Sequence, residues 1–295
     1  MNKVLIYGGL GNQMFQYALS IALNQQGKKT QISFSKFLYE HHHNGFNLGE
    51  AFNLKLPFPL NALNFFLLKG GMVYKNKPVG FVFRRLVPLY HGKRYSVYKE
   101  PREFIYDNNL LQQQSSLLVG VWQVESYFKD IKDLLKEEFV FKKPTDKKNM
   151  ELIEKINNCN SVSIHIRRGD TLASNNPFGF INYTSYYHNA LDYAAKNIEK
   201  PHYFVFSDDM QWVKENLNIT NCTYVDNNTG KNSYVDMYLM SLCKHNLIAN
   251  STFSWWAAWL NKNKNKIVVM PEKWLMRDYH PEGIFPEEWV KIKLD

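Results

Sequence analysis

From residue 161 onward, short apolar runs alternate with helical apolar patterns, and this alternation limits the fold more than any other feature of the chain. The runs lie at about 161–166, 202–207, 222–225, 245–249 and 266–270. Between them, apolar residues recur at helical spacing over about 184–199, 209–216, 233–243 and 253–262. Short, uniformly apolar strands that each lead into a helix predict a doubly wound parallel sheet, covered on both faces. Ligands of such sheets bind beyond the carboxyl ends of the strands.

The chain opens in a similar way. An apolar run at 4–7 ends at Gly8-Gly9, a helical pattern follows over 12–26 with Phe15, Ala18, Leu19, Ala22 and Leu23 on one face, and a second strand is expected at 30–34. Residues 36–115 are irregular and rich in Asn and Pro. A strand at 116–122 and a helix near 126–138 restore order. At 295 residues the chain has reached the length at which single cores divide. The composition shift at KKPTDKKN, residues 142–149, is the best boundary, giving an α/β domain over 1–148 and a second over 149–295.

A net charge of +9 attracts anions, whether nucleic acid, an anionic membrane surface or a phosphorylated ligand. The lysine clusters, Lys142, Lys143, Lys147 and Lys148, and Lys262, Lys264 and Lys266, sit at connectors and read as solvated faces. Peripheral membrane contact is their functional alternative. A basic nucleic-acid or membrane-binding protein would set its basic residues among exposed aromatics. Here the aromatics fall in apolar periodic runs, which argues against nucleic acid. Three cysteines, Cys159, Cys222 and Cys243, with no CxxC pair, argue against a disulfide framework or zinc site. The short run before Gly8 is neither signal peptide nor anchor, and no apolar segment reaches the roughly 18 residues of a spanning helix. A cytoplasmic protein is expected. The Asn-x-Ser/Thr sequons at Asn182, Asn218, Asn221, Asn227 and Asn250 carry no weight in that setting, and His41-His42-His43 reads as a surface loop.

Three strand ends carry polar residues that a plain loop would not require: His165 with Arg167-Arg168-Gly169-Asp170, Ser207-Asp208-Asp209, and Asn250-Ser251-Thr252-Phe253-Ser254. A guanidinium offers a planar fork of donors matched to phosphate or carboxylate oxygens. One arginine would suit a pyrophosphate and the other an internal carboxylate, with Asp170 nearby; a salt-bridged strand end is the plain alternative. The third stretch starts a helix, whose free N–H groups suit phosphate oxygens as well as caps. Its Trp255, Trp256 and Trp259 read as core. Asp208-Asp209 fits a metal, the N1 and N2 donors of a guanine, or a helix cap. GGLGNQ is not a dinucleotide fingerprint, because Met14 stands where the third glycine would be. Gly9 and Gly11 allow close backbone approach, and Asn12 and Gln13 offer hydrogen bonds.

Taken together, GGLGNQMFQYA at 8–18, HIRRGD at 165–170, FSDD at 206–209 and NSTFSWWAAWL at 250–260 resemble the bacterial α-1,2-fucosyltransferases of glycosyltransferase family eleven. The resemblance implies a GT-B architecture of two Rossmann-like domains facing a cleft, with the acceptor on 1–148 and GDP-fucose on 149–295. It implies an inverting transfer of fucose to the 2-hydroxyl of a galactose, without metal or other cofactor. The acceptor would be an oligosaccharide or lipid-linked glycan in cell-surface polysaccharide assembly. On matching positions Arg167 would bind the β-phosphate, with Arg168 beside it. His165 would lie next to the nucleotide, and Asp208 would read guanine. Ser251, Thr252, Phe253 and Ser254 would close on the donor. In the related protein O-fucosyltransferases the glycine turn faces the cleft, so Gly9, Gly11 and Asn12 would approach sugar or acceptor. Asp170 is either the base that takes the acceptor proton or a residue that orients an arginine, and a late proton loss to water or phosphate would need no protein base. Acceptor choice falls to the irregular stretch 36–115. Another fucosyl linkage or another sugar-nucleotide transferase shares the same donor logic.

Overall fold

The computed structural model describes residues 1–38, 45–54, 95–169, 183–274 and 283–293. The expectations for Asp170 and for His41-His42-His43 lie outside them. The chain forms two compact units, Met1–Lys142 with Glu282–Ile284, and Lys143–Pro281 with Phe285–Asp295. Each is built on a parallel sheet, the two Rossmann-like α/β units that the GT-B resemblance implies.

In the amino-terminal unit, strand β1 (Asn2–Leu5) leads through the glycine turn into α1 (Leu10–Gln25), and β2 (Thr30–Ser33) returns beside β1. Strands β3 (Ser96–Lys99) and β4 (Ser116–Val119) complete the order β2-β1-β4-β3, with every pair parallel. Helix α2 (Lys132–Glu138) follows two 3₁₀ turns. Phe15, Ala18, Leu19, Ala22 and Leu23 are buried as their spacing predicts. So are Gln13 and Gln16, both wholly inaccessible. The Gln13 Nε2 donates to the carbonyls of Gly8 and Gly45, and its Oε1 accepts from the Asn47 N–H. Gln16 accepts from the Tyr7 N–H and donates to the Gly120 carbonyl. Buried amides persist only when satisfied in this way. Gln13, expected to offer hydrogen bonds to a ligand, therefore ties the loops at the carboxyl edge of the sheet to α1. One later segment also belongs to this unit: the Gly283 carbonyl accepts from the Glu125 N–H at 2.8 Å, and Ile284 is fully buried.

The carboxyl-terminal unit starts with α3 (Lys147–Asn157), which Asp146 caps by accepting from the Asn149 N–H at 3.0 Å. The composition shift at 142–149 thus contains a helix start. The chain then runs β5 (Ser161–Ile166), α4 (Tyr183–Asn197), β6 (His202–Ser207), α5 (Met210–Asn216), β7 (Cys222–Val225), α6 (Tyr234–Leu242), β8 (His245–Leu247), α7 (Thr252–Leu260), β9 (Val268–Pro271) and β10 (Val290–Ile292). The sheet order is β10-β9-β8-β5-β6-β7, all parallel. Counted from β5, the strands read 3-2-1-4-5-6 from the β7 edge, the Rossmann order. β5 is buried along its whole length and pairs Ile164 with Val205 on one side and Leu247 on the other. Val162, Ile164 and Ile166 pack with Tyr186, Tyr187 and Ala190 of α4. The two tyrosine hydroxyls reach the sheet, donating to the carbonyls of Ile248 (2.6 Å) and His165 (2.7 Å). Trp255, Trp256 and Trp259 are core, with Trp255 and Trp256 edge-on at 5.0 Å. Truncating such a buried ring to alanine costs about 3–5 kcal/mol.

Candidate functional site

The chain leaves β5 toward β6 and β7 on one side, and leaves β8 toward β9 and β10 on the other. Loops diverge at such a switch point and open a crevice above it. The two loops concerned are those that begin at Arg167 and at Ile248, and the end of β6 lies beside the first.

The adjacent arginines have different surroundings. The Arg168 Nε donates to Asp209 Oδ2 at 3.2 Å, its guanidinium lies 3.8 Å over the Trp212 ring, and its side chain is only 12% exposed. Arg167 pairs with Asp208 at 3.2 Å and keeps 32% of its side chain exposed. Asp208 holds the loop itself, accepting from the backbone N–H groups of Arg168 (2.8 Å) and Gly169 (3.1 Å). A Cβ on Gly169 would come within 3.0 Å of the Asp208 carboxylate. The helix cap is Asp209, which accepts from the Trp212 N–H at 3.1 Å. Asp208 and Asp209, weighed above as a metal pair, are each engaged by an arginine, and among the described residues no three His, Cys, Asp or Glu cluster to hold a metal ion.

His165 ends the buried part of β5, at 6% exposure, with its ring 5.7 Å from that of Phe253. Burial, aided by the Arg167 charge, holds its pKa down at about 3, so the ring is neutral at physiological pH. Its Nδ1 is buried and has no hydrogen-bond partner among the described residues. Leaving such an atom unpaired costs about 1–3 kcal/mol, so the native fold keeps it only where something else is gained. On the facing loop, Ser251 caps α7 by accepting from the Phe253 N–H at 3.3 Å. Ser254 is buried and donates back to the Ser251 and Ala249 carbonyls. Thr252 and Phe253 are half-buried. Both serines thus shape the helix start, and Ser254 alone among residues 250–254 is fully buried.

One acid escaped the sequence reading. Asp236, in the first turn of α6, accepts from the Asn228 amide at 2.8 Å, and burial pushes its carboxyl up to about 7. A lone acid inside the apolar pattern YVDMYLM was the signal.

In the amino-terminal unit, Gly8 carries the left-handed backbone (φ +79°) while Gly9 is the extended cap of α1 and Gly11 is buried in its first turn. A side chain at Gly8 would meet Asn12 Nδ2 at 2.9 Å. Asn12 Oδ1 accepts from Gln123 Nε2 at 2.9 Å. Among the described residues no helix is long and apolar enough to cross a membrane.

The family model described as Glycosyl transferase family 11 matches residues 95–293. An α-1,2-colitosyltransferase of Escherichia coli is 32% identical over 97% of both chains. The E. coli O-antigen biosynthesis glycosyltransferase WbnK is 29% identical over 97% of this chain and 98% of its own. The human galactoside alpha-(1,2)-fucosyltransferase 1 is 28% identical over 45% of this chain and 39% of its own. Among solved structures, the NodZ α-1,6-fucosyltransferase soaked with GDP-fucose aligns at a TM-score of 0.45 and 14% identity, over 88% of this chain and 92% of its own. The E. coli ADP-heptose LPS heptosyltransferase II aligns at 0.47 and 14%, over 99% and 89%.

Proposed function

Because the chain belongs to glycosyl transferase family 11, we propose that it moves L-fucose from GDP-β-L-fucose to the 2-hydroxyl of a galactose, with inversion and without a metal. The acceptor is a galactose-terminated oligosaccharide or lipid-linked precursor of a cell-surface polysaccharide, met in the cytoplasm or at the inner membrane face. The observation that carries this reading is a partly exposed guanidinium, Arg167, held by Asp208 at the Rossmann switch point beside a buried, neutral His165.

The acceptor oxygen attacks C1 of fucose from the face opposite GDP, and the C1–O bond to the β-phosphate breaks. Negative charge grows on the departing pyrophosphate, and Arg167 stabilises it more in the transition state than in the bound donor. The N–H groups that start α7, with Thr252, add donors on the other side of the crevice. His165 lies next to the nucleotide as a neutral ring packed against Phe253. Arg168 and Asp208 keep the loop in shape, and Asp208 retains lone-pair capacity toward guanine. Asp236, which accepts from the Asn228 amide, is a second candidate acceptor for the N1 and N2 donors of the base. Gly9, Gly11 and Asn12 serve the acceptor side. Asp170 takes the acceptor proton, or it orients an arginine and the proton passes late to water or to the departing phosphate.

A second reading follows from the colitosyltransferase relative: the donor sugar is colitose. Incubating the purified protein with GDP-fucose or nucleotide-activated colitose, a panel of β-galactosides and EDTA, then solving the product linkage by NMR, decides between them. The expected product is α-1,2-fucosylated in the presence of EDTA. No fucosyl product from any acceptor, together with no GDP binding, overturns the reading.

A further inference from the structure

The turn after β4 is built around a half-buried acid. Glu100, the first residue after β3, directs one carboxyl oxygen, Oε2, at two successive backbone N–H groups, those of Val121 (2.7 Å) and Trp122 (3.1 Å). Its own N–H donates to the Val119 carbonyl at 2.9 Å, so one residue braces the end of β4 through both main chain and side chain. The turn it holds is tight. Trp122 stands at φ +54°, a region that bulky residues avoid. A Cβ on Gly120 would lie 2.5 Å from the Glu100 Cβ and 2.6 Å from its Oε2. The next residue is Gln123, nearly buried, whose Nε2 donates to Asn12 Oδ1. Glu100 is therefore joined to Asn12 through one short turn and one hydrogen bond.

We propose that Glu100 is a positioning residue for the acceptor side of the transfer: by holding the Val121–Trp122 backbone it fixes Gln123, and through Gln123 the carboxamide of Asn12. The proposal rests on the reading of Asn12 given above.

The brace is only half paired. Glu100 Oε1 is buried with no hydrogen-bond partner among the described residues, and so is the indole Nε1 of Trp122. Burial pushes the Glu100 carboxyl up to about 7, against the pull of its two N–H bonds, and the charges of Glu103 and Asp107 add to the rise. Tyr127 is the other titratable group coupled to it. Ionisation strengthens the bonds to Val121 and Trp122, because charged acceptors bind N–H groups more tightly. It also buries a charge, so the stability that Glu100 contributes below its ordinary pKa is lost as pH rises through about 7. The grip on Asn12 and the stability of the fold thus move in opposite directions over one pH range.

The test compares wild type, Glu100→Gln and Glu100→Ala across that range, following acceptor and donor kinetics and amide hydrogen exchange at Val121 and Trp122. In the wild type, kcat/KM for the acceptor rises through about pH 7 while stability falls. Glu100→Gln keeps an acceptor oxygen and folds, but flattens both curves. Glu100→Ala lowers acceptor kcat/KM by roughly tenfold or more, the effect of releasing a hydrogen bond to a charged group, with donor KM unchanged. A wild-type pH rise that survives in Glu100→Gln overturns the proposal. Should the wild type transfer no sugar from any donor, the functional reading fails and exchange alone decides the brace. Faster exchange at Val121 and Trp122 in Glu100→Ala, spreading to the Asn12 carboxamide, upholds it, and unchanged protection overturns it.

Discussion

Arg167 and Arg168 are neighbours in sequence, and their replacement by alanine should produce opposite phenotypes. Arg168→Ala removes a stacked guanidinium 3.8 Å from Trp212 and an ion pair to Asp209, from a side chain only 12% exposed. A desolvated cation–π contact is worth about 0.5–2 kcal/mol and a hydrogen bond to a charged group about 1.5–3, so the loss is about 2–4 kcal/mol after allowing for overlap. For a chain of this length that lowers Tm by about 5–15 °C. Arg167→Ala removes a pair whose two side chains are 32% and 26% exposed. Such a pair contributes about 0–1 kcal/mol, and Tm should fall by less than about 4 °C. Its effect should lie in turnover, where losing one preorganised donor to a developing anion costs about 10²–10³ in kcat. Calorimetry and steady-state transfer on both variants measure the two losses separately. If Arg167→Ala melts well below Arg168→Ala, or keeps near-wild-type kcat, the assignment of the arginines is wrong.

His165 ties stability to pH. Its folded pKa is depressed to about 3 from an ordinary 6.5, so its contribution is whole above 6.5 and drains away as pH falls toward 3. Urea unfolding at pH 8 and pH 4.5 should show about 2–3 kcal/mol more loss in the wild type than in His165→Asn, whose side chain does not titrate; equal losses would refute a buried neutral imidazole. Calorimetric titration with GDP and ADP separates the two acids. If Asp236 reads the base, Asp236→Asn should weaken GDP selectively and Asp208→Asn should weaken both nucleotides alike, by loosening the loop that carries Arg167; if Asp208 reads it, the selective loss falls on Asp208→Asn.

The carboxyl-terminal sheet was legible because β5 and β6 are buried runs and β7 is a short, partly buried one, all bounded by polar turns, and their expected limits at 161–166, 202–207 and 222–225 match the structure. Strands β3 and β10 were not foreseen: both are edge strands, β3 mostly exposed and β10 only three residues long, so their pairing is set by the neighbours β4 and β9 and not by a local pattern. The same limit applies to the glutamines of GGLGNQMFQ. Gln13 looked ligand-facing because a polar side chain on an apolar helix suggests solvent, yet its three hydrogen bonds run to Gly8, Gly45 and Asn47, two of them far along the chain. Asp209, and not Asp208, caps α5, a distinction that depends on one backbone torsion. The resemblance already set Arg167 apart from Arg168, but what holds Arg168, the ring of Trp212, lies on the helix after the next strand and has no local signature.

The contact between Glu125 and Gly283 has a temporal meaning. A chain is made from its amino terminus, and the first unit has its four strands once Val119 has appeared, yet Ile284 still has to be buried in it. Among the described residues, nine of the ten strands precede that residue in synthesis. The unit that begins first therefore finishes after most of the second, and a chimera that exchanges residues 1–142 with a relative must carry 283–284 as well, or it joins a mismatched last piece to an otherwise native core.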